Sequence, residues 1–354
     1  SLLDPAGNRP IMAAMCGTTY TINNTLPTAG LNYNNFTDAV NDLNTYGLSC
    51  AVVFNVKDGQ TFNEKVPAIT TTGTSTNTIT FQRDNSGASR PTLVGTTGTG
   101  INDAVLQLNG VDYLRWDGIN ISNNAANATA TTQFEYGIFM NALSANGCKN
   151  NIIRNSNISL TTANTSTRCV YTLANSITGG DNSNNQFLNL QVSNAMWGYS
   201  FDGATSGPYD DNNEINTTVG GTSLITGLGS TSNSATYGVV ISYQTNFKFK
   251  NTTFTNATTS SIGDLFGFNS SSGPNNTMEV SGNVFTGISH SGSSAARVRG
   301  VSLAAGTSST ITGNTFTALT TTGYLHAIFC ASGTMTATGN TIGGSPANAL
   351  TSTG

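Results

Sequence analysis

Residues 308–323 read "SSTITGNTFTALTTTG", a Thr-rich stretch in which Ile311 and Phe316 stand five residues apart around Gly313-Asn314. On a straight strand successive side chains alternate between faces, so that spacing puts the two apolar residues on opposite sides. The same frame recurs at Val280-Ser281-Gly282-Asn283-Val284-Phe285 and at Ala337-Thr338-Gly339-Asn340-Thr341-Ile342. It is a repeat, and the spacing makes sense if the backbone bends so that both side chains enter one core from two adjoining sheets. A sharp bend needs a residue tolerant of positive φ, which Gly and Asn supply. Stacked copies would set Asn283, Asn314 and Asn340 above one another, with their side-chain amides in hydrogen-bonding reach.

Written as apolar-x-[Asn/Gly]-x-x-apolar, the frame also fits Ile153 and Ile158 around Asn155, Phe187 and Val192 around Asn189, and Phe249 and Phe254 around Asn251. Successive copies start 34, 62, 31, 31 and 26 residues apart, and the long gap holds a degraded copy, "NNEINTTV" at 212–219, with Asn216 and Val219 in place. A unit of this length with variable insertions is the mark of a solenoid. Between the copies lies a second frame, Gly-apolar-x-apolar, at Gly137-Ile138-Phe139-Met140, Gly198-Tyr199-Ser200-Phe201, Gly238-Val239-Val240-Ile241 and Gly300-Val301-Ser302-Leu303, continued by Ala327-Ile328-Phe329-Cys330. Alternation over four residues is strand patterning, and no sustained helical stripe appears in this region. The expected fold is all-β, a right-handed parallel β-helix over 51–345. A segment with a capping helix precedes it at 1–50, and a C-terminal extension or linker follows at 346–354. A β-sandwich with repeated Asn turns is the competing reading, but hairpin turns would not hold one bend residue in register with two core positions.

The 354 residues are only 8% charged, with a formal net charge of −4 and no Lys/Arg cluster. That leaves no electrostatic footprint for nucleic acid or an anionic membrane, and no apolar run approaches bilayer length. Neither nucleic acid nor membrane insertion is expected. The opening "SLLDPAGNRPIMAAMC" lacks the basic start and apolar core of a signal peptide, so the chain reads as mature. Of five cysteines, Cys16–Cys50 and Cys148–Cys169 are the pairings expected first, and no C-x-x-C spacing points to zinc.

Near the start, Phe36, Ala39, Val40 and Leu43 share one helical face, Asn35 or Thr37 can cap its N-terminus, and Gly47 ends it. A helix here would cover the raw end of a solenoid. At this point the chain resembles the pectin-lyase-like superfamily, whose β-helices often begin with such a helix. More narrowly, "NFTDAVNDLNTYGLSCAVVFNVKDGQTFNEKV", "TNTITFQ" and "LQLNGVDYLRWDGINIS" look like the opening of large secreted surface proteins of the Bacteroidota. The resemblance covers about residues 16–345 and is architectural. It implies a secreted or cell-surface chain, of a group whose members commonly carry a sorting domain for type IX secretion, so this chain is expected to be one piece of a longer product.

Enzymes on such a scaffold need ionic groups: Asp or Glu for calcium with an Arg or Lys base in uronate lyases, paired carboxylates in glycoside hydrolases. The best cluster is Asp202 with Asp210, Asp211 and Glu214. Asp202, Asp210 and Asp211 are the candidate catalytic set, Asp210, Asp211 and Glu214 the candidate calcium ligands, and Arg154 and Arg168 lie upstream within possible reach across coils. A solvated acidic loop is the plainer reading. His290 and His326 have no neighbour at ligand spacing, and Cys330 continues an inward column as an inert thiol. The leading expectation is therefore a non-enzymatic surface rod, as in an adhesin, filament or surface layer, that binds its own copies end to end or joins further modules. Its motive is the ion-poor surface and the absence of a covering helix after Ile342. The alternatives are a polysaccharide lyase or glycoside hydrolase, and a glycan-binding adhesin using Trp197, Tyr209 and Tyr243 against sugar faces.

Overall fold

A computed structural model of the chain describes residues 14–352 apart from 18, 101, 217–220, 222, 230–233, 257–262, 292–294 and 344–350. A full coil lays down three short parallel strands, and successive coils stack them into sheet I with 12 strands, sheet II with 11 and sheet III, which begins only at Ala104–Asn109, with 8. One coil runs through Ile152–Arg154 in sheet I, Asn157–Ser159 in sheet II and Arg168–Leu173 in sheet III. Gln186–Leu188 then returns to sheet I beside Ile152–Arg154. This is a right-handed parallel β-helix, the hand that right-twisted strands impose on parallel crossovers.

Ile311 lies in Ser309–Thr312 of sheet I and Phe316 in Thr315–Thr321 of sheet II, and both are fully buried. Between them Gly313 has φ +65°, and the same corner is made by Gly118, Asn155, Asn189, Asn251, Gly282 and Gly339 at φ +47° to +72°. In the degraded copy Asn216 takes φ +50° one position earlier, while Val219 lies outside the described residues. A second corner, entering sheet I, places Asn150, Asn184, Asn212, Asn246, Thr277 and Ser308 at φ +50° to +59°. Amides line both corners: Asn283 Nδ2 donates to Asn314 Oδ1 and Asn314 Nδ2 to Asn340 Oδ1, each at 3.0 Å. At the second corner Asn151 Nδ2 donates to Asn185 Oδ1 at 3.0 Å, and Asn185 Nδ2 to Asn213 Oδ1 at 3.2 Å.

The glycines of the second frame stack on one another in sheet III. A Cβ at Gly267 would stand 2.6 Å from the Gly300 carbonyl oxygen and 2.5 Å from the Phe285 ring, so any larger residue would force the coils apart. Inside, aromatic rings carry contact from coil to coil, as at Phe285 and Phe316, whose rings stack at 4.9 Å.

At the N-terminal end the helix Phe36–Tyr46 buries Phe36, Ala39, Val40 and Leu43. Asn35 accepts from the Asp38 N–H at 2.7 Å, and Glu64 accepts from the N–H groups of Phe36 and Thr37, so three of the helix's orphan donors are satisfied. Phe36 packs on Phe62, Phe81 and Trp116 inside the first coils. Thr19–Ile22 and Asn32–Tyr33 extend sheet I ahead of Val52–Val56, so the N-terminal segment supplies strands as well as the helix. Of the C-terminal extension only Thr351–Ser352 is described. Among the described residues no helix is long and apolar enough to cross a membrane.

Cys16 and Cys50 are disulfide-bonded. The second expected pair is corrected: Cys148 and Cys169 are free and buried. Cys148 lies between sheets III and I with Sγ directed to the Leu108 carbonyl, and Cys169 sits in a sheet III strand against the carbonyls of Ile158 and Ser193. Burial pushes both thiols up to about 12. Cys330 does continue the column of Leu303, but in the last strand of sheet III it is exposed.

Candidate functional site

In sheet III the residue just ahead of the glycine column faces away from the main core. Tyr136, Arg168, Trp197, Tyr237, Phe266, Arg299 and His326 are register partners from coil to coil. Tyr136, Phe139 and Tyr171 belong to a buried cluster separate from the main core. Trp197 meets Tyr237 edge-on at 5.1 Å, and Tyr237 stacks on Phe266 at 5.1 Å. The outer face of sheet III is thus an aromatic stripe with cations set into it.

Arg168 is the centre of the stripe's first half. Its guanidinium lies 4.1 Å from the Tyr171 ring centroid and 4.3 Å from that of Trp197, and its Nη1 stands 3.7 Å from Asp202 Oδ2. Asp202 ends the strand Trp197–Asp202, about one third of its side chain is open to solvent, and its other oxygen accepts from Ser242 Oγ at 3.2 Å. It is the single carboxylate within the eight strands of sheet III. Two buried polar atoms here, Arg168 Nη1 and Ser200 Oγ, have no hydrogen-bond partner among the described residues. Burial, reinforced by Asp202, pushes the Tyr171 phenol up, so it stays protonated at neutral pH. A carboxylate, a cation and the ring of a protonated tyrosine therefore adjoin one another across two neighbouring strands, with Trp197 against the cation from the opposite end of the strand that Asp202 closes.

The remaining acids of the sequence cluster turn to other partners. Asp210 is fully buried and accepts from the Asn182 N–H at 2.8 Å and from Gln244 Nε2 at 3.0 Å. Burial raises its carboxyl to about 7. Asp211 accepts from Thr245 and Asn246, and Glu214 pairs with Lys248 at 2.6 Å on sheet I. Among the described residues no three His, Cys, Asp or Glu side chains converge in a way that could hold a metal ion. Arg154 is drawn to Asp117 at 2.7 Å, away from Asp202. Tyr209 and Tyr243 stack on each other at 6.1 Å, and His290 is buried against the Gly263 carbonyl. The residues that sequence reasoning passed over are Tyr171, Ser200, Tyr237 and Arg299. A signal for the stripe was present: an aromatic residue or Arg stands immediately before Gly137, Cys169, Gly198, Gly238, Gly267 and Gly300.

No protein-family model matches the chain, and no curated protein matches it in sequence. Among solved structures the fold is similar to that of a GH136 lacto-N-biosidase from Eubacterium ramulus, at 11% identity over 92% of this chain and 67% of that one, with a TM-score of 0.55. It is also similar to a rhamnogalacturonan lyase, at 13% identity over 85% of this chain and 76% of that one, with a TM-score of 0.50. These likenesses overturn the expectation of a non-enzymatic rod, since by name both proteins are enzymes. The ion-poor composition behind that expectation conceals where the few ions sit.

Proposed function

We propose that the chain is an extracellular glycan-cleaving enzyme whose substrate lies along the outer face of sheet III, with Asp202 as the proton acceptor. The carrying observation is the Arg168–Asp202 pair between Tyr171 and Trp197. Cleaving a glycosidic bond requires one group to take a proton and another to give one to the leaving oxygen. Asp202 supplies the first and the protonated Tyr171 phenol the second, while Arg168 holds the carboxylate in place. Aromatic faces such as Trp197 suit the apolar faces of sugar rings. The shared fold of the lacto-N-biosidase and the rhamnogalacturonan lyase supports this reading. The Cys16–Cys50 disulfide supports an oxidising, extracellular setting, in keeping with the resemblance to exported surface proteins of the Bacteroidota.

The test is a panel of polysaccharides assayed for new reducing ends and for new unsaturated ends, which separate hydrolysis from elimination. Asp202→Asn is expected to lower turnover about 100-fold or more, the range for loss of a general acid or base. Asp211→Asn, on the far side of the corner, should leave it unchanged. Retention of glycan without product in the wild type, or full turnover in Asp202→Asn, overturns the assignment.

A further inference from the structure

Among the described residues nine Lys and Arg side chains meet a carboxylate within ion-pair distance. Arg299 does not, although it is 8% exposed and more deeply buried than any of them. Of the 17 acidic residues only Asp4 lies outside the described residues, and none of the other 16 comes within ion-pair distance of Arg299. Asp264, the nearest acid in the preceding sheet III segment, is taken by Arg297. Arg299 Nη1 reaches Ser302 Oγ at 3.3 Å, while its Nε is buried without a partner. The guanidinium lies 3.5 Å from the Phe329 ring centroid and 5.7 Å from that of Phe266. His326, its register partner in the next coil, has a buried Nδ1 with no partner and packs on Phe329 at 5.1 Å.

Burying a cation without an anion costs several kcal/mol, and aromatic faces offset only part of that. A guanidinium with free donors beside an imidazole is matched by an oxyanion. We infer that Arg299, with His326 and Ser302, forms an anion subsite for a carboxylate or sulfate group carried by the glycan. It rests on the reading of sheet III as the glycan-facing surface. Arg299 lies four register steps from Arg168, roughly 19 Å at the usual strand spacing, so one oligosaccharide could span both.

Affinity electrophoresis through polygalacturonate, a sulfated galactan and a neutral galactan tests this with wild type, Arg299→Gln and Arg299→Lys, alongside thermal unfolding of each. Wild type is expected to be retarded at least tenfold more strongly by one anionic polymer than by the neutral one. Retardation by polygalacturonate alone assigns a carboxylate, and by the sulfated polymer alone a sulfate. Arg299→Gln should lose that preference while melting at the same or a higher temperature, since a buried unpaired charge has gone, and Arg299→Lys should keep part of the preference. Equal retardation by neutral and anionic polymers, or an unchanged preference in Arg299→Gln, overturns the subsite. If Arg299→Gln only unfolds, Arg299→Lys decides by the same comparison. None of these readouts uses turnover, so loss of the Asp202 assignment would leave the subsite standing, and loss of the subsite would leave Asp202.

Discussion

At Asp210 a carboxylate occupies a place in a corner stack where the neighbouring coils put amides, Asn182 before it and Gln244 after it. Two donors reach it, yet burial dominates, the charges of Asp181 and Asp202 add to it, and the carboxyl rises from 3.8 to about 7. The folded state therefore binds this proton more tightly than the unfolded chain does. Its neutral form favours folding below the unfolded value, and that advantage is lost as pH rises from about 4 to about 7. At pH 8 the buried charge costs up to about 4 kcal/mol on the scale of 1.36 kcal/mol per unit. Asp210→Asn removes the titration, so its stability relative to wild type should climb across that window and be greatest at pH 8. Denaturant unfolding of both proteins at a series of pH values reads the difference directly, and parallel profiles would reject the buried-charge account.

The corners between strands are elements in their own right, because they carry a repeated hydrogen-bond chain as well as a repeated backbone bend. Asn314 accepts from both the backbone and side-chain N–H of Asn283 and donates to the Val280 carbonyl and to Asn340. Asn314→Ala strands several of these buried groups at once and should destabilise by about 2–4 kcal/mol, whereas exposed Thr312→Ala should stay within about 0.5 kcal/mol. Equal losses in a denaturant titration would mean the amide chain contributes nothing beyond its surface neighbours. The bends were readable from sequence because positive φ is a local demand that only Gly and Asn meet cheaply, so the spacing of Ile311 and Phe316 already implied two adjoining sheets. Of the cysteines, Cys16–Cys50 was readable, 34 residues apart and so about one coil, whereas Cys148 and Cys169, only 21 apart, fall at different places along the coil, one between sheets III and I and the other within a sheet III strand. The approach of Arg168 to Asp202 was legible only as a reach across coils that Arg154 shared, because the pair is diagonal, with Arg168 in register with Trp197 and Asp202 with Leu173, so neither frame aligns the two.

Over the whole molecule, each coil is held by the one before and the one after, as in other solenoids, so stability and function can be separated by removing a complete unit. Val280 and Ile311 are register partners in sheet I, and excising residues 280–310 joins Glu279 to Ile311 at an equivalent point of the coil. The shortened chain keeps a bend at Gly313, the inward pair Ile311 and Phe316, and an Asn at the ladder position. It should therefore fold, with strand content and cooperative melting retained. Excising only 280–295 breaks the period, turns inward residues outward, and should give no cooperative transition. The full-coil deletion removes Arg299 but leaves Arg168, Tyr171, Trp197 and Asp202 in untouched coils. If cleavage and anion recognition are separate properties of one face, it should retain Asp202-dependent turnover and lose the preference for anionic polymer. A folded deletion variant without turnover would mean that the stripe acts as one continuous surface, with the distant coil required to seat the substrate at Asp202.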